Sequence, residues 1–183
     1  MRPPRIHAPN AVAPAIEMLT DFLESRIAKG EKFESGQSIQ CSWMWLKVGH
    51  DERGETVVLA PMAGTMPMDF VSDISDALNL VLTQRYVCDS FGVDSSSGNA
   101  IQAALVVKDL AECRDVFMNR TDGEKGRSSG WFFGGSDSKL DVNLAQNLEL
   151  KSLWELSCHY PMARDFFLLP QGWQWPSVSG PSF

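Results

Sequence analysis

The sequence has little of what marks secreted, membrane or metal-binding proteins. Its 183 residues include four cysteines, and because these form no Cys-x-x-Cys pair, neither a disulfide framework nor a thiolate metal site is predicted. No apolar run approaches the roughly 20 residues of a membrane span, since Ser75, Asp76 and Asn79 interrupt even the region from Ile74 to Leu82. We therefore expect reduced thiols and no membrane association.

The sequence also lacks an apolar leader and an excess of positive charge. No apolar run follows Arg2 and Arg5, and Pro9 and Pro14 break the next segment, so we expect a soluble, cytoplasmic protein. The formal net charge is -7. A general nucleic-acid binder needs clustered Lys and Arg to neutralise phosphates. Direct nucleic-acid binding is therefore not predicted, and a basic partner fits better.

Motifs of catalysis and cofactor binding are missing as well. Gly134-Gly135 lacks the lysine or the further glycine of a phosphate-binding loop. No Gly-x-Ser-x-Gly nucleophile elbow occurs, and His7, His50 and His159 have no second ligand at metal-binding spacing. We predict no metal, no cofactor and no enzymatic activity, and we expect the protein to act by binding another protein.

Hydrophobic periodicity predicts an α+β fold in two small subdomains, each a short, mostly antiparallel sheet packed with helices. The serine-rich segment from Asp94 to Asn99 has the composition of a linker, so the subdomains are placed at residues 1–99 and 100–183. The first is predicted to contain a helix at 15–29, a strand at 38–48, a second strand at 56–59 that closes a hairpin, and another helix at 69–87. The second is predicted to contain strands at 103–107, 115–119 and 131–133 and helices at 150–157 and 161–167. The segment 173–175 is predicted to form either a closing core strand, which is favoured, or an apolar surface patch.

The negative charge is concentrated in one part of the first subdomain. Residues 37–99 contain three Lys or Arg against eight Asp or Glu, a net charge of -5. On a helix at 69–87, Asp69, Asp73 and Asp76 share one face with Leu80. One explanation for this acidic face is structural, because carboxylates in the first turn of a helix are stabilised by the helix dipole. The other is that this face binds a basic partner, together with the hairpin-turn residues Asp51, Glu52 and Glu55.

One segment carries a recognisable pattern. Residues 127–135 contain a Ser-Gly-Trp-x-Phe core at 129–133, and a Leu-x-Pro-x-Gly-like segment follows at 168–172. On these features the chain resembles a bacterial immunity-protein family over about residues 100 to 178. The family usually has a Tyr-Arg-Glu-like stretch before the motif, where this chain has Phe117 to Arg120. The motif also admits a structural interpretation, in which Trp131 and Phe133 bury one face of a strand.

The resemblance implies a cognate inhibitor of a toxin secreted by a contact-dependent or type VI system. We therefore predict an immunity protein that neutralises a basic toxin acting in the cytoplasm, a nuclease, by blocking its active site. The alternative is a small-molecule-binding domain or small enzyme with a pocket between the two halves, to which Asp137 and Asp141 supply polar groups. The identity of the neighbouring gene discriminates between these hypotheses.

Overall fold

The computed structural model describes residues 2–96, 98–121 and 126–179, the last five by their backbone alone. The chain folds as two compact units, Met1–Tyr86 and Val87–Phe183. A four-stranded and a five-stranded sheet, combined with helices, confirm the predicted α+β class with mostly antiparallel pairing. The subdomain boundary predicted at residues 99 and 100 falls inside the second unit.

The first helix, α1, spans Ala13–Ala28 and confirms the sequence prediction. Pro14 lies in its first turn, where the missing N–H is not needed by the helix. Its buried residues, Ala15, Leu19 and Leu23, recur every four positions and so form one apolar stripe. Gly30, at φ 87°, follows the helix in the left-handed conformation that glycine adopts without strain.

The first sheet consists of four sequential antiparallel strands, β1 at Ser38–Cys41, β2 at Met44–His50, β3 at Thr56–Pro61 and β4 at Phe70–Val71. The single strand predicted at 38–48 is wrong, because the chain reverses at Ser42, whose φ is +54°, and β1 pairs back on β2. The reversal explains why apolar residues occur at both alternating sets of positions in residues 38–48. The predicted hairpin with the following strand is confirmed by the pairing of β2 with β3.

The second helix, α2, spans Ser75–Ser90, so the helix predicted at 69–87 is wrong at its start. Residues 70 and 71 instead pair with Pro61 and Ala60 of β3. The carboxylate of Asp73 accepts hydrogen bonds from the backbone N–H and the hydroxyl of Ser75, at 3.0 and 2.6 Å. These bonds fix the first residue of the helix, because a side-chain acceptor satisfies an N–H that has no partner within the helix.

The second sheet has the order β8-β5-β7-β6-β9. Its strands are β5 at Ala103–Val107, β6 at Asp115–Arg120, β7 at Ser128–Gly135, β8 at Leu148–Ser152 and β9 at Gln174–Ser179. Only the β5 and β7 pair is parallel among the strands described. The three predicted strands of this half are therefore confirmed, and the strand predicted at 173–175 is observed from Gln174 onward, with the Trp175 side chain outside the described residues.

Helical segments follow β8. The helix α3 spans Leu153–His159 and a 3-10 helix spans Pro161–Phe166. The prediction that a helix begins at residue 150 is wrong, because Leu150 pairs with Leu105 in the sheet. The Ser152 hydroxyl accepts a hydrogen bond from the N–H of Glu155 at 3.1 Å and so caps α3 at its observed start.

The two faces of the second sheet have different surroundings. The face here called the closed face carries the buried residues Val116, Met118, Arg120, Trp131 and Phe133. The Phe167 ring lies 6.4 Å from the Trp131 ring and 6.2 Å from the Phe133 ring, measured between centroids, so the segment after α3 covers this face. The opposite face, here called the open face, carries Leu105, Phe117, Asn119, Phe132 and Leu150, none of them fully buried.

All four cysteines, Cys41, Cys88, Cys113 and Cys158, are free thiols in the structure. Burial raises the pKa of Cys41 above its ordinary value. Burial, followed by the nearby carboxylates of Asp109 and Asp137, raises the pKa of Cys113 to about 11. These thiols therefore stay protonated at neutral pH and are poor nucleophiles. Within the described part of the chain, the helices are too short or too polar to cross a membrane.

Candidate functional site

The acidic residues of the β2–β3 turn are engaged locally. Asp51 Oδ1 accepts hydrogen bonds from the backbone N–H groups of Arg53 and Glu55, each at 2.9 Å. The Glu55 N–H bond is the largest cause of the lowered pKa of Asp51, and the smaller ones include the charges of Arg5 and Arg53. Glu55 forms an exposed ion pair with Arg5 at 2.7 Å. Glu52 is also exposed and makes no such bond to a described residue.

The other predicted contact residues do not form one helical stripe. Asp69 precedes β4 and accepts a bond from the N–H of Phe70, and Asp73 precedes α2. Only Asp76 lies in the first turn of the helix. Leu80, predicted to be on the same polar face, is 7% exposed and belongs to the core. The predicted acidic stripe is wrong, because it required residues 69–74 to be helical, whereas the helix begins at Ser75.

A polar cleft of about 590 Å³ lies beside the turn. It brings Asp51 and Glu52 together with Arg5, Arg53 and the imidazoles of His7 and His50, whereas Asp69, Asp73 and Asp76 are not among its lining residues. Hydrogen bonds from Ser75, chiefly from its hydroxyl, lower the pKa of Asp73, and the charge of His7 adds a smaller effect. The cleft is therefore mixed in charge rather than acidic.

The Ser-Gly-Trp-x-Phe motif occupies the centre of the second sheet, on β7. Trp131 and Phe133 are buried on the closed face, and the indole N–H of Trp131 donates to the carbonyl of Phe167 at 3.2 Å. Gly130 has a φ of +75°, a conformation that costs other residues more than glycine. Phe132, between the two buried aromatic residues, points to the open face. The structural interpretation of the motif therefore accounts for Trp131 and Phe133, and Phe132 is left for another role.

A buried arginine holds the motif in place. Arg120 is 2% exposed, and its guanidinium donates to the carbonyls of Ser129 at 2.9 Å and Leu169 at 2.7 Å, and to the Ser96 hydroxyl. It also lies over the Trp131 ring at 5.7 Å. Sequence reasoning missed this residue, although its alternation with Val116 and Met118 on β6 was a signal that it faces the core.

The open face carries a row of side chains across the sheet. Leu150 pairs with Leu105, Leu105 with Phe132, and Phe132 with Asn119. Beside this row, the Phe132 ring lies 6.0 Å from the Phe117 ring. Both rings cover Gly134, where an added Cβ would lie 2.6 Å from Phe117 Cζ and 2.9 Å from Phe132 Cε1. Glycine at this position is therefore required for the two rings to pack this closely over the backbone of β7.

The row forms the floor of a concave pocket of about 560 Å³. Leu150 is 71% exposed and Leu105 is 38% exposed, which is unusual for leucines on a sheet. Asn119 also lines the pocket, and its buried Oδ1 accepts no hydrogen bond from any described residue. Of the described residues that line it, only Arg127 is charged. The arrangement is suited to binding an apolar group with a small number of polar contacts.

The carboxylates proposed for a catalytic pocket serve local structure. Asp137 accepts from the backbone N–H of Arg114, which is the largest cause of its lowered pKa. Asp141 accepts from the N–H and the side-chain amide of Asn143, each at 2.9 Å. Within residues 2–96, 98–121 and 126–174, no group of His, Cys, Asp or Glu is arranged to hold a metal ion.

The fold and the site together define an α+β domain that buries an aromatic motif on one side of its sheet and presents an apolar pocket on the other. Comparison with protein-family models matches residues 83–177 to the Imm33-like domain. Because this match covers more than half of the chain, the chain belongs to the Imm33-like family, which supports the predicted resemblance to bacterial immunity proteins. No curated protein and no solved structure matches the chain.

Proposed function

We propose that this protein is an immunity protein that binds and neutralises a cognate bacterial toxin. The observation that carries the proposal is membership of the Imm33-like family over residues 83–177. An inhibitor of this kind needs a stable scaffold and an exposed recognition surface, and it needs no catalytic group of its own. The buried motif and the open pocket of the second unit fit those two requirements.

The finer proposal is that the toxin is a basic nuclease acting in the cytoplasm and that the inhibitor covers its active site. The net charge of -7 supports a basic partner. Complementary charge speeds association and makes it sensitive to salt. Within the predicted acidic set, all but Asp51 are exposed. Glu52, Asp69 and Asp76 are the proposed contacts, because Glu55 pairs with Arg5 and Asp73 accepts from Ser75. Asp51, Glu55 and Asp73 support them by holding the turn and the start of α2.

The test is co-expression with the product of the neighbouring gene in a bacterial host. We expect that product alone to stop growth and to degrade nucleic acid, and the present protein to restore growth and to copurify with it. The negative control is the toxin gene co-expressed with an empty vector, and the destabilised variant Trp131→Ala should restore growth less well than the wild type. Unrelieved toxicity together with the absence of a complex would refute the proposed function, whereas rescue from a toxin that leaves nucleic acid intact would refute only the nuclease part.

The acidic contacts have a sharper test. Glu52→Lys with Asp76→Lys should slow association and reduce its salt dependence, since neither side chain makes a structural bond to a described residue. The matched control is Glu17→Lys with Asp21→Lys, two exposed carboxylates on α1, which imposes the same change in net charge on the same unit. Equal association rates for the two double variants would show that only net charge matters.

A further inference from the structure

The pocket on the open face is lined by apolar residues and also by polar ones. Its floor is formed by Leu105, Phe132 and Leu150, which supply apolar surface from three neighbouring strands. Exposed apolar patches that are concave and bordered by polar groups mark interaction sites in soluble proteins. The shape and lining therefore suit an inserted apolar side chain.

The charge of the pocket lining comes from one described residue. Asn119 also lines the pocket, but its Oδ1 is buried and is therefore closed to a ligand. Arg127 is exposed and forms no ion pair with a described residue. Since it is the charged member of the described lining, the pocket favours an anionic group beside the apolar one.

We propose that the open face binds a segment of the toxin in which an apolar side chain lies next to a carboxylate. The apolar side chain fills the pocket over Phe132, and the carboxylate pairs with Arg127. The identity of the partner as a toxin rests on the proposed function, whereas the chemistry of the bound segment rests on the pocket. This surface is distinct in character from the acidic residues of the first unit.

Three capped peptides test the chemistry without the toxin. They are acetyl-Gly-Leu-Asp-Gly-amide and its counterparts with Asn or Lys in place of Asp, followed by amide chemical-shift mapping on the 15N-labelled full chain. We expect shifts in β5 and β7, and an affinity order of Asp over Asn over Lys. Because exposed ion pairs are weak, the step from Asn to Asp should be about two- to fivefold, and it should fall as salt is added.

Matched variants separate the two parts of the site. Arg127→Gln should remove the preference for Asp over Asn, whereas Lys139→Gln, an exposed lysine elsewhere in the unit, should leave it intact. Leu150→Asp should weaken all three peptides. Met162→Asp is the control, since Met162 is exposed to a similar degree, at 65%, and lies outside the lining of the pocket.

Several outcomes would overturn the inference. These are equal or tighter binding of the Lys peptide, shifts that map away from β5 and β7, no shift with any peptide, or self-association of the free chain through this face. A complex with the neighbouring gene product that forms equally well with Leu150→Asp also refutes it, and leaves the proposed function standing. Peptide binding as expected, without a toxin complex, refutes the proposed function alone.

Discussion

Trp131 and Phe132 are neighbours in the chain, yet they lie on opposite faces of one sheet and have opposite surroundings. Trp131 is buried, donates a hydrogen bond to Phe167 and lies against Arg120. Phe132 is half-exposed and contacts Phe117 at the edge of an open pocket. A short sequence motif therefore does not have to be a single functional unit. Alternate residues of this strand serve stability and recognition.

The largest expected effect is on the closed face. Trp131→Ala should lower the free energy of unfolding by about 3 to 5 kcal/mol, because it removes a large buried side chain and leaves a cavity. Phe132→Ala, the matched change one residue on, should cost clearly less, since that ring is only partly buried. Urea unfolding of both variants measures the difference. Equal losses would show that the two faces contribute alike to stability.

The next effect concerns the buried arginine. Arg120→Leu should destabilise the protein by about 2 to 4 kcal/mol, because the carbonyls of Ser129 and Leu169 lose their donor inside the core. Arg127→Leu is the control from the open face and should be nearly neutral. Thermal unfolding of both proteins at the same pH measures the contrast. Near-wild-type stability of the Arg120 variant would contradict the structural role assigned to its guanidinium.

A smaller effect is expected beneath the two phenylalanine rings. Gly134→Ala should cost about 1 to 3 kcal/mol through overpacking, since its Cβ would approach Phe117 Cζ to 2.6 Å. The double variant with Phe117→Leu should recover part of that loss, because the clash is removed. A double-mutant cycle of unfolding free energies measures the coupling. Additive effects would mean that the rings do not constrain this glycine.

The smallest effect is at the edge of the pocket. Leu150→Asp should change the unfolding free energy by no more than about 0.5 kcal/mol, the range typical of exposed positions. Met162→Asp should behave the same way, so the two variants differ only in binding. Differential scanning calorimetry checks the stability of both. A large loss for Leu150→Asp alone would place this leucine in the core rather than on a recognition surface.

Sequence periodicity predicted the strands of the second unit well because alternation is strong there, as at Val116 and Met118. It failed where an apolar run contained a reversal, at Ser42, and where a short strand preceded a helix, at Phe70. Both failures have the same cause: pairing with a distant strand decides the conformation, and a local pattern does not contain that information. The misplaced helix start then produced an acidic stripe and an exposed Leu80 that the structure does not contain.

The pocket was harder to predict than the fold. Its floor joins residues from β5, β7 and β8, whose order in the sheet is not their order in the chain. The Ser-Gly-Trp-x-Phe segment pointed to Trp131 and Phe133, which are core residues in the structure. The exposure of Leu105 and Leu150 and the position of Arg127 at the pocket depend on what surrounds them in space, and no spacing rule identifies such features.

The hydrogen bond from Arg120 to the carbonyl of Leu169 has a consequence for how the protein is made on the ribosome. Strands of the first sheet pair with their neighbours in sequence, so that sheet can assemble as the chain emerges. The guanidinium of Arg120, in contrast, has to wait until a segment 49 residues downstream is synthesised. Until then a charged group and the motif's aromatic rings are exposed together. The nascent second unit therefore cannot complete its core until Leu169 has been synthesised.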